Sequence, residues 1–206
     1  MNGIVVTAPF YAIDNDDIVE NHFRLIRKAT KLPIFAYDLP QCVHKKLDIN
    51  MLIRLAKDGV IQGVKDSSGE DIEFRKLTIL NEEAGTPLRI FTGHEVVVDG
   101  ALLSGAHGVV PGLANVDPKV YVDMRDAARA RDWEKVKKLQ DRAAKLMQIA
   151  YCTSKPMGFS TGVGGFMTAL REMGIIATNN VPDPALTLEG EDVERVRGYL
   201  KEADLL

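Results

Sequence analysis

An α/β fold built on parallel strands is predicted by three features of this 206-residue sequence. Five short apolar runs recur through its first half, segments with helical spacing separate them, and after the fifth run only helical patterning remains. Near-continuous Val, Ile and Phe mark strands buried on both faces, and strands alternating with helices are wound in one direction by right-handed crossovers.

The runs are "GIVVTAPF" (3–10), "LPIFAYDLP" (32–40), "VIQGVKDSSG" (60–69), "LRIFTGHE" (88–95) and "HGVVPGLANV" (107–116), with Gly, Pro, Asp or Ser towards their ends. Between the first two, residues 15–30 bring Ile18, Val19, His22, Phe23, Ile26 and Ala29 onto one helical face, with Asp14 or Asn15 as cap. Residues 48–58 gather Ile49, Leu52, Leu55 and Ala56, started by Asp48 and stopped by Gly59. Segments 70–83 and 94–104 follow suit, the latter stopping at Gly105. Beyond the fifth strand, Asp117 and Pro118 open a helix, the stripe Trp133, Val136, Leu139, Ala143, Leu146 and Met147 marks a second over 133–151, and two more fall near 160–173 and 189–203. The stripe reads as helix packing, or as an oligomer contact. Two architectures accommodate five such strands, an open doubly wound sheet or part of a (β/α)8 barrel, and periodicity does not decide between them.

With 46% hydrophobic and 27% charged residues, the chain has the balance of a globular protein with one sizeable core and an appended subdomain. The net charge of −3 is interspersed, and the densest basic run, "RARDWEKVKK" at 129–138, is broken by acids, so neither nucleic acid nor anionic membrane is favoured as a partner. Cys42 and Cys152 lie outside any CxxC, which gives no disulfide framework or zinc cluster and fits a reducing cytoplasm. The opening "MNGIVVTAPF" has neither a basic leader nor the length to span a bilayer, so no signal peptide or anchor is expected.

Lys65, in "GVKDSSG" (63–69), occupies a strand end where Val or Ile would be ordinary. A free lysine, with a pKa near 10.4, is neutral in only about one molecule in 2,500 at pH 7, and desolvation or a nearby cation is how Schiff-base lysines are activated. The competing reading is a lysine that reaches solvent or pairs with Asp66. Tyr37, in "AYDLP", stands at the preceding strand's carboxyl end, where its hydroxyl can relay a proton to a carbonyl; alternatively it is a core ring with a satisfied hydroxyl. Together they point to carbonyl chemistry.

"VVTAPFY" (5–11), "FAYDLP" (35–40), "GVKDSSG" (63–69), "TGHE" (92–95) and "GAHGVVPGLANV" (105–116) resemble, in order and spacing, the dihydrodipicolinate synthase and N-acetylneuraminate lyase family of pyruvate-type class I aldolases. The resemblance implies a (β/α)8 TIM barrel, covered here only from its fourth to eighth strands and followed by a helical region, with a partial barrel over 1–116 and the last barrel helix and helical region over 117–206. It implies that Lys65 is the Schiff-base lysine, Tyr37 the catalytic tyrosine and Tyr11 a tyrosine reaching a neighbouring subunit's site. Gly93 and Val110 match positions lining the keto-acid pocket. The substrates implied are a small 2-keto acid and an aldehyde, the assembly a homodimer or homotetramer, and no cofactor or metal is required because the iminium on Lys65 is the electron sink.

Two departures qualify this. Where dihydrodipicolinate synthases carry an arginine for the aldehyde's carboxylate, this chain has Cys42, which cannot make a bidentate ion pair; His44, Lys45 or Lys46 would have to substitute, against the ordinary fate of a solvated loop charge. A 2-keto-3-deoxy sugar acid is therefore favoured over aspartate semialdehyde, with true 4-hydroxy-tetrahydrodipicolinate synthase as the alternative. The family's glycine- and threonine-rich motif after the second strand has no counterpart, so the 206-residue chain alone is expected to show little aldolase turnover. A sugar-acid dehydratase or hydrolase, an open-sheet ligand-binding or signalling module, and an inactive interaction fragment are the remaining readings. His22 and His107 read as helix-face and turn residues, and His94 and Glu95 as neighbours of the pocket. "TGVGGF" (161–166) reads as close packing rather than a phosphate loop, because no strand precedes it and the Lys-Ser/Thr ending is missing.

Overall fold

The computed structural model describes residues 1–11, 15–153 and 159–206, the side chains of 159–161 excepted. They form two units, Met1–Val110 and Pro111–Leu206. In the first unit the strands β1 (Ile4–Thr7), β2 (Ile34–Asp38), β3 (Gly63–Asp66), β4 (Arg89–Thr92) and β5 (Gly108–Val109) make one parallel sheet in sequence order, with β1 and β5 at its edges. The helices of this unit are α1 (Asp16–Ala29), α2 (Pro40–Val43), α3 (Ile49–Lys57), α4 (Asp71–Glu83) and α5 (Val98–Leu103).

Local chemistry explains the boundaries. Asn15 caps α1 by accepting from the Ile18 amide, the alternative cap Asp14 lying outside the described residues. Asp48 accepts from the Met51 amide to start α3, and the chain leaves that helix through Gly59, whose φ of +69° favours glycine. Two elements differ from the periodicity. The helix expected from residue 94 begins at Val98, because His94–Val97 form a turn, and α2, with Pro40 in its first turn, is too short for periodicity to reveal. Of the fifth run only Gly108–Val109 is strand; Pro111 has no amide for the ladder, and Gly112–Asn115 coil into a 3-10 turn.

Strand alternation gives the sheet two unlike faces. Ile34, Ala36, Val64 and Ile90 are buried with Val19, Phe23, Leu52, Leu55 and Leu77 in the core under the helices. Burying each large apolar side chain contributes about 1.5–3 kcal/mol, so this layer dominates the unit's stability. Phe35, Tyr37, Lys65 and Phe91 project from the other face and are half-buried. There, glycines make room for rings. A Cβ on Gly63 would stand 2.4 Å from the Phe35 ring and 2.8 Å from the Arg89 carbonyl oxygen, and one on Gly108 would be 3.2 Å from the Phe91 ring.

The second unit is helical: α6 (Pro118–Arg129), α7 (Trp133–Leu146), α8 (Phe159–Glu172) and α9 (Glu191–Glu202), with a 3-10 turn at Met147–Ala150. Asp117 caps α6 through the Val120 amide. Of the stripe expected from sequence, Val136, Ala143 and Leu146 in α7 and Met147 in the following 3-10 turn are buried, while Trp133 is exposed. Of the glycine-rich segment, residues 162–166 lie in α8, where a Cβ on Gly165 would be 2.1 Å from the Ile149 carbonyl oxygen. These glycines serve close helix packing. Among the described residues no helix is long and apolar enough to cross a membrane.

Candidate active site

Parallel pairing sets the site. Tyr37 and Lys65 are register partners across β2 and β3, and because successive residues alternate faces, both side chains rise from the half-exposed face at the strands' carboxyl ends. Lys65 Nζ donates to Tyr37 Oη at 3.0 Å and lies 4.3 Å from the centre of the tyrosine ring. Amine and phenol thus form one unit, ready to exchange a proton with a molecule bound beside them. The Lys65–Asp66 pairing considered from sequence does not occur, since consecutive strand residues point to opposite faces.

The backbone ladder continues past the strand ends. Ser67 donates to the Asp38 carbonyl at 2.9 Å, Gly93 to that of Asp66 at 2.7 Å and Val110 to that of Thr92 at 2.8 Å. Gly93 is buried against the lysine: a Cβ there would be 2.7 Å from Lys65 Cε and 2.0 Å from Ser67 Oγ. Ser67 is a site residue that the sequence reading passed over, although its place two residues after Lys65 on a strand put it on the same face. Gly93→Ala should displace the lysine while leaving the fold intact, because the obstructing atoms are movable side chains. A loss of reactivity at Lys65 on the order of 10²-fold, with little change in melting temperature, is the expected outcome by mass-resolved modification kinetics and circular dichroism.

Of the other sequence candidates, Val110 is exposed just beyond β5, and Tyr11 is exposed beyond the end of β1. No hydrogen bond joins Tyr11 to Tyr37 or Lys65 in the described residues. His94 Nδ1 lies 3.5 Å from Asp71 Oδ1 without hydrogen-bond geometry, and Glu95 is half-buried beside it. His107 is more than a turn residue: its Nδ1 accepts from the Ile90 amide at 3.1 Å, and burial, with Arg89 nearby, holds the imidazole below its ordinary pKa. His22 packs edge-on against Phe23. Among the described residues no cluster of three or more His, Cys, Asp or Glu is placed to hold a metal ion.

The loop after β2 corrects one expectation. Cys42 and His44 are exposed, but the two lysines are not solvated loop charges. Lys45 pairs with Asp16 at 2.5 Å. Lys46 turns back beneath the strand ends, where it pairs with Asp38 and lies 3.5 Å from Asp66. Both carboxylates are buried, Asp38 completely. Burial pushes the Asp38 carboxyl up to about 6 in spite of the opposing pull of Lys46, while the two aspartates hold Lys46 above the ordinary lysine range against its own desolvation. These aspartates share strands with Tyr37 and Lys65 and face the other way.

The chain as a whole resembles known proteins. The model of the dihydrodipicolinate synthetase family matches residues 1–203. The chain belongs to that family. A 4-hydroxy-tetrahydrodipicolinate synthase from Ehrlichia canis is 27% identical over 209 residues, an alignment covering 100% of this chain and 66% of that protein. The solved dihydrodipicolinate synthase of Acinetobacter baumannii, complexed with pyruvate, is 26% identical at a TM-score of 0.85 and spans 100% of this chain and 67% of its own. YagE of Escherichia coli K12, a prophage protein of the dihydrodipicolinic acid synthase family solved with pyruvate, is 21% identical at a TM-score of 0.90, again over 100% of this chain and 67% of that one. The parallel α/β fold is thus that of the family's TIM barrels. The chain spans about half to two-thirds of the length of the curated relatives it matches, between 51% and 66% for the first three.

Proposed function

We propose that the protein is a Schiff-base-forming class I lyase of the dihydrodipicolinate synthase family, acting on pyruvate or another 2-keto acid. The observation that carries the proposal is the Lys65 Nζ to Tyr37 Oη hydrogen bond of 3.0 Å, beside a glycine whose missing side chain leaves room at the amine. The neutral Lys65 amine adds to the ketone carbon of the keto acid, forming a carbon–nitrogen bond, and its proton passes through the Tyr37 hydroxyl to the carbonyl oxygen. A second proton, delivered by the Tyr37 hydroxyl, lets that oxygen leave as water and yields an iminium. Electrons from the breaking carbon–carbon bond of an aldol substrate then flow into the iminium while the Tyr37 phenolate takes the proton of the substrate's hydroxyl, releasing an aldehyde and leaving an enamine; return of that proton to the enamine carbon and hydrolysis give back the keto acid and the free amine. No metal or organic cofactor enters this sequence.

The five strands correspond, in this proposal, to the fourth to eighth of a family barrel, an assignment that rests on the order and spacing of the motifs within residues 5–116. Gly93 and Val110 line the keto-acid end. Tyr11, whose exposure suits a contact with another subunit, completes the proton relay in a homodimer or homotetramer. Two observations bear on the aldehyde partner and point in different directions. Cys42 in place of an arginine, with Lys45 and Lys46 already engaged by carboxylates, favours a 2-keto-3-deoxy sugar acid. The names of the curated relatives favour 4-hydroxy-tetrahydrodipicolinate synthase. Product analysis with each substrate separates the two.

Borohydride reduction in the presence of pyruvate, followed by peptide mass analysis, is the direct test. A reduced pyruvate adduct on Lys65 is expected, and it requires only imine formation, not complete turnover. Unmodified Lys65 at saturating pyruvate would sink the proposal. In the same assay Tyr37→Phe should lower the trapping rate by about 10²–10⁴-fold while leaving the adduct at Lys65, because the relay is lost and the nucleophile is kept.

A further inference from the structure

We infer that Lys46 is a positioning residue for the Tyr37–Lys65 pair: by holding Asp38 and Asp66 together beneath the sheet, it fixes the spacing of the β2 and β3 ends that carry the phenol and the amine above it. The inference rests on the Schiff-base reading for its catalytic meaning. Its geometry is independent of that reading.

Asp38 and Asp66 are register partners on adjacent parallel strands, each next in sequence to one of the site residues. Two buried carboxylates side by side would repel and spread the strand ends. Lys46 sits against both, and each carboxylate is tied further to backbone. Asp38 accepts from the Leu47 amide at 3.2 Å, while Asp66 accepts from the Ser68 amide at 2.8 Å and the Ser68 hydroxyl at 2.6 Å. The loop bearing Lys46 and the turn following Lys65 are thus both anchored to the same two strand ends. Any relative movement of these ends is transmitted through a single, rigid peptide unit to Tyr37 or Lys65 on the opposite face. A hydrogen bond of 3.0 Å tolerates only a few tenths of an ångström before it weakens.

The clamp is also sensitive to protons. The charged groups facing Asp38 are Lys46, from the loop before α3, and Asp66, from β3, and burial leaves Asp38 to protonate near pH 6. Protonation removes one of the two charges that Lys46 bridges, so the spacing above should respond in the same range.

The test combines two readouts on the full chain. 3-Fluorotyrosine is incorporated and the residue-37 fluorine resonance is assigned with Tyr37→Phe. In the unsubstituted chain this resonance should move with a midpoint near pH 6, Asp38→Asn should abolish the transition, and Lys46→Met should shift it to higher pH. Pyruvate trapping at Lys65 should slow by about 10–100-fold in Lys46→Met, with the half-saturating pyruvate concentration unchanged, and recover to within about threefold in Lys46→Arg, whose guanidinium can reach both carboxylates. Should Lys46→Met fail to fold, Lys46→Arg and Asp38→Asn carry both measurements. A fluorine resonance indifferent to Asp38→Asn and to substitution of Lys46 overturns the inference, whether or not trapping slows, since a slower reaction would then reflect general damage. If instead the resonance behaves as expected but the unsubstituted chain traps no pyruvate, the Schiff-base proposal fails and the clamp stands.

Discussion

Lys65→Arg should abolish the borohydride-trapped adduct and any pyruvate-dependent turnover, with a loss on the order of a thousandfold or more. Arginine keeps the positive charge and most of the length but has a pKa above 12, so it offers no neutral amine to the ketone. Lys65→Met removes the charge as well. If Lys65 acted only as a cation for the substrate carboxylate, Arg would preserve function and Met would not; if it acts as a nucleophile, both variants fail alike. A Lys65→Arg protein retaining more than about 1% of the unsubstituted trapping rate would overturn the covalent role. Because the Lys65 side chain is half-buried and belongs to the half-exposed face of the sheet, both variants should remain folded, a point circular dichroism checks directly.

Lys46→Met should cause the largest loss of stability of any single substitution in the first unit's ion pairs. Removing the cation leaves Asp38 and Asp66 buried without it, a situation that costs about 3–5 kcal/mol and, for a chain of this size, lowers the melting temperature by about 6–20 °C. The deficit should depend on pH in a defined direction. Asp38 has its folded pKa raised from 3.8 to about 6, so the folded state binds its proton more tightly than the unfolded state does. That contribution to stability is full below pH 3.8 and is lost as pH rises through 6. Lys46 is one of the groups opposing the rise, so its removal moves the folded pKa higher still and extends the window upward. The gap in melting temperature between Lys46→Met and the unsubstituted chain should therefore narrow as pH falls from about 8 to about 5. A gap that widens on acidification would show that the carboxylates are not what Lys46 stabilises. Comparing the two proteins at each pH cancels groups of opposite behaviour, such as Glu172, whose carboxyl is held below its ordinary range by Arg171 and Arg197 despite burial.

Much of the fold was legible because its signals are local. The Asp48 and Asp117 caps and the apolar faces of α1 and α3 depend on residues within a few positions of one another, and α1, α3 and α6 lie where spacing and caps put them. Where neighbours in sequence did not control the outcome, the reading missed. The run at 107–116 is apolar throughout, yet Pro111 cannot donate to a ladder and the strand stops at Val109. His107 reads as a turn residue until its imidazole is seen replacing a carbonyl as the partner of the Ile90 amide.

Alternation along "AYD" and "VKD" puts Tyr37 and Lys65 on one face and Asp38 and Asp66 on the other once the strands are known to be register neighbours, whereas sequence by itself still allowed Lys65 to pair with Asp66. Sequence alone therefore determined the parallel α/β class, the strand order's local punctuation, and an amine and a phenol at successive strand ends. Tertiary structure decided what those residues do to one another. It set the 3.0 Å contact between amine and phenol, made Gly93 and Ser67 neighbours of the lysine, and turned Lys46 from a loop charge into the cation between two buried carboxylates. The reason is one of range. Periodicity and capping are read within a turn of helix or a few residues of strand, whereas register between strands 28 residues apart, and the burial that makes an ion pair matter, exist only once the chain has closed on itself.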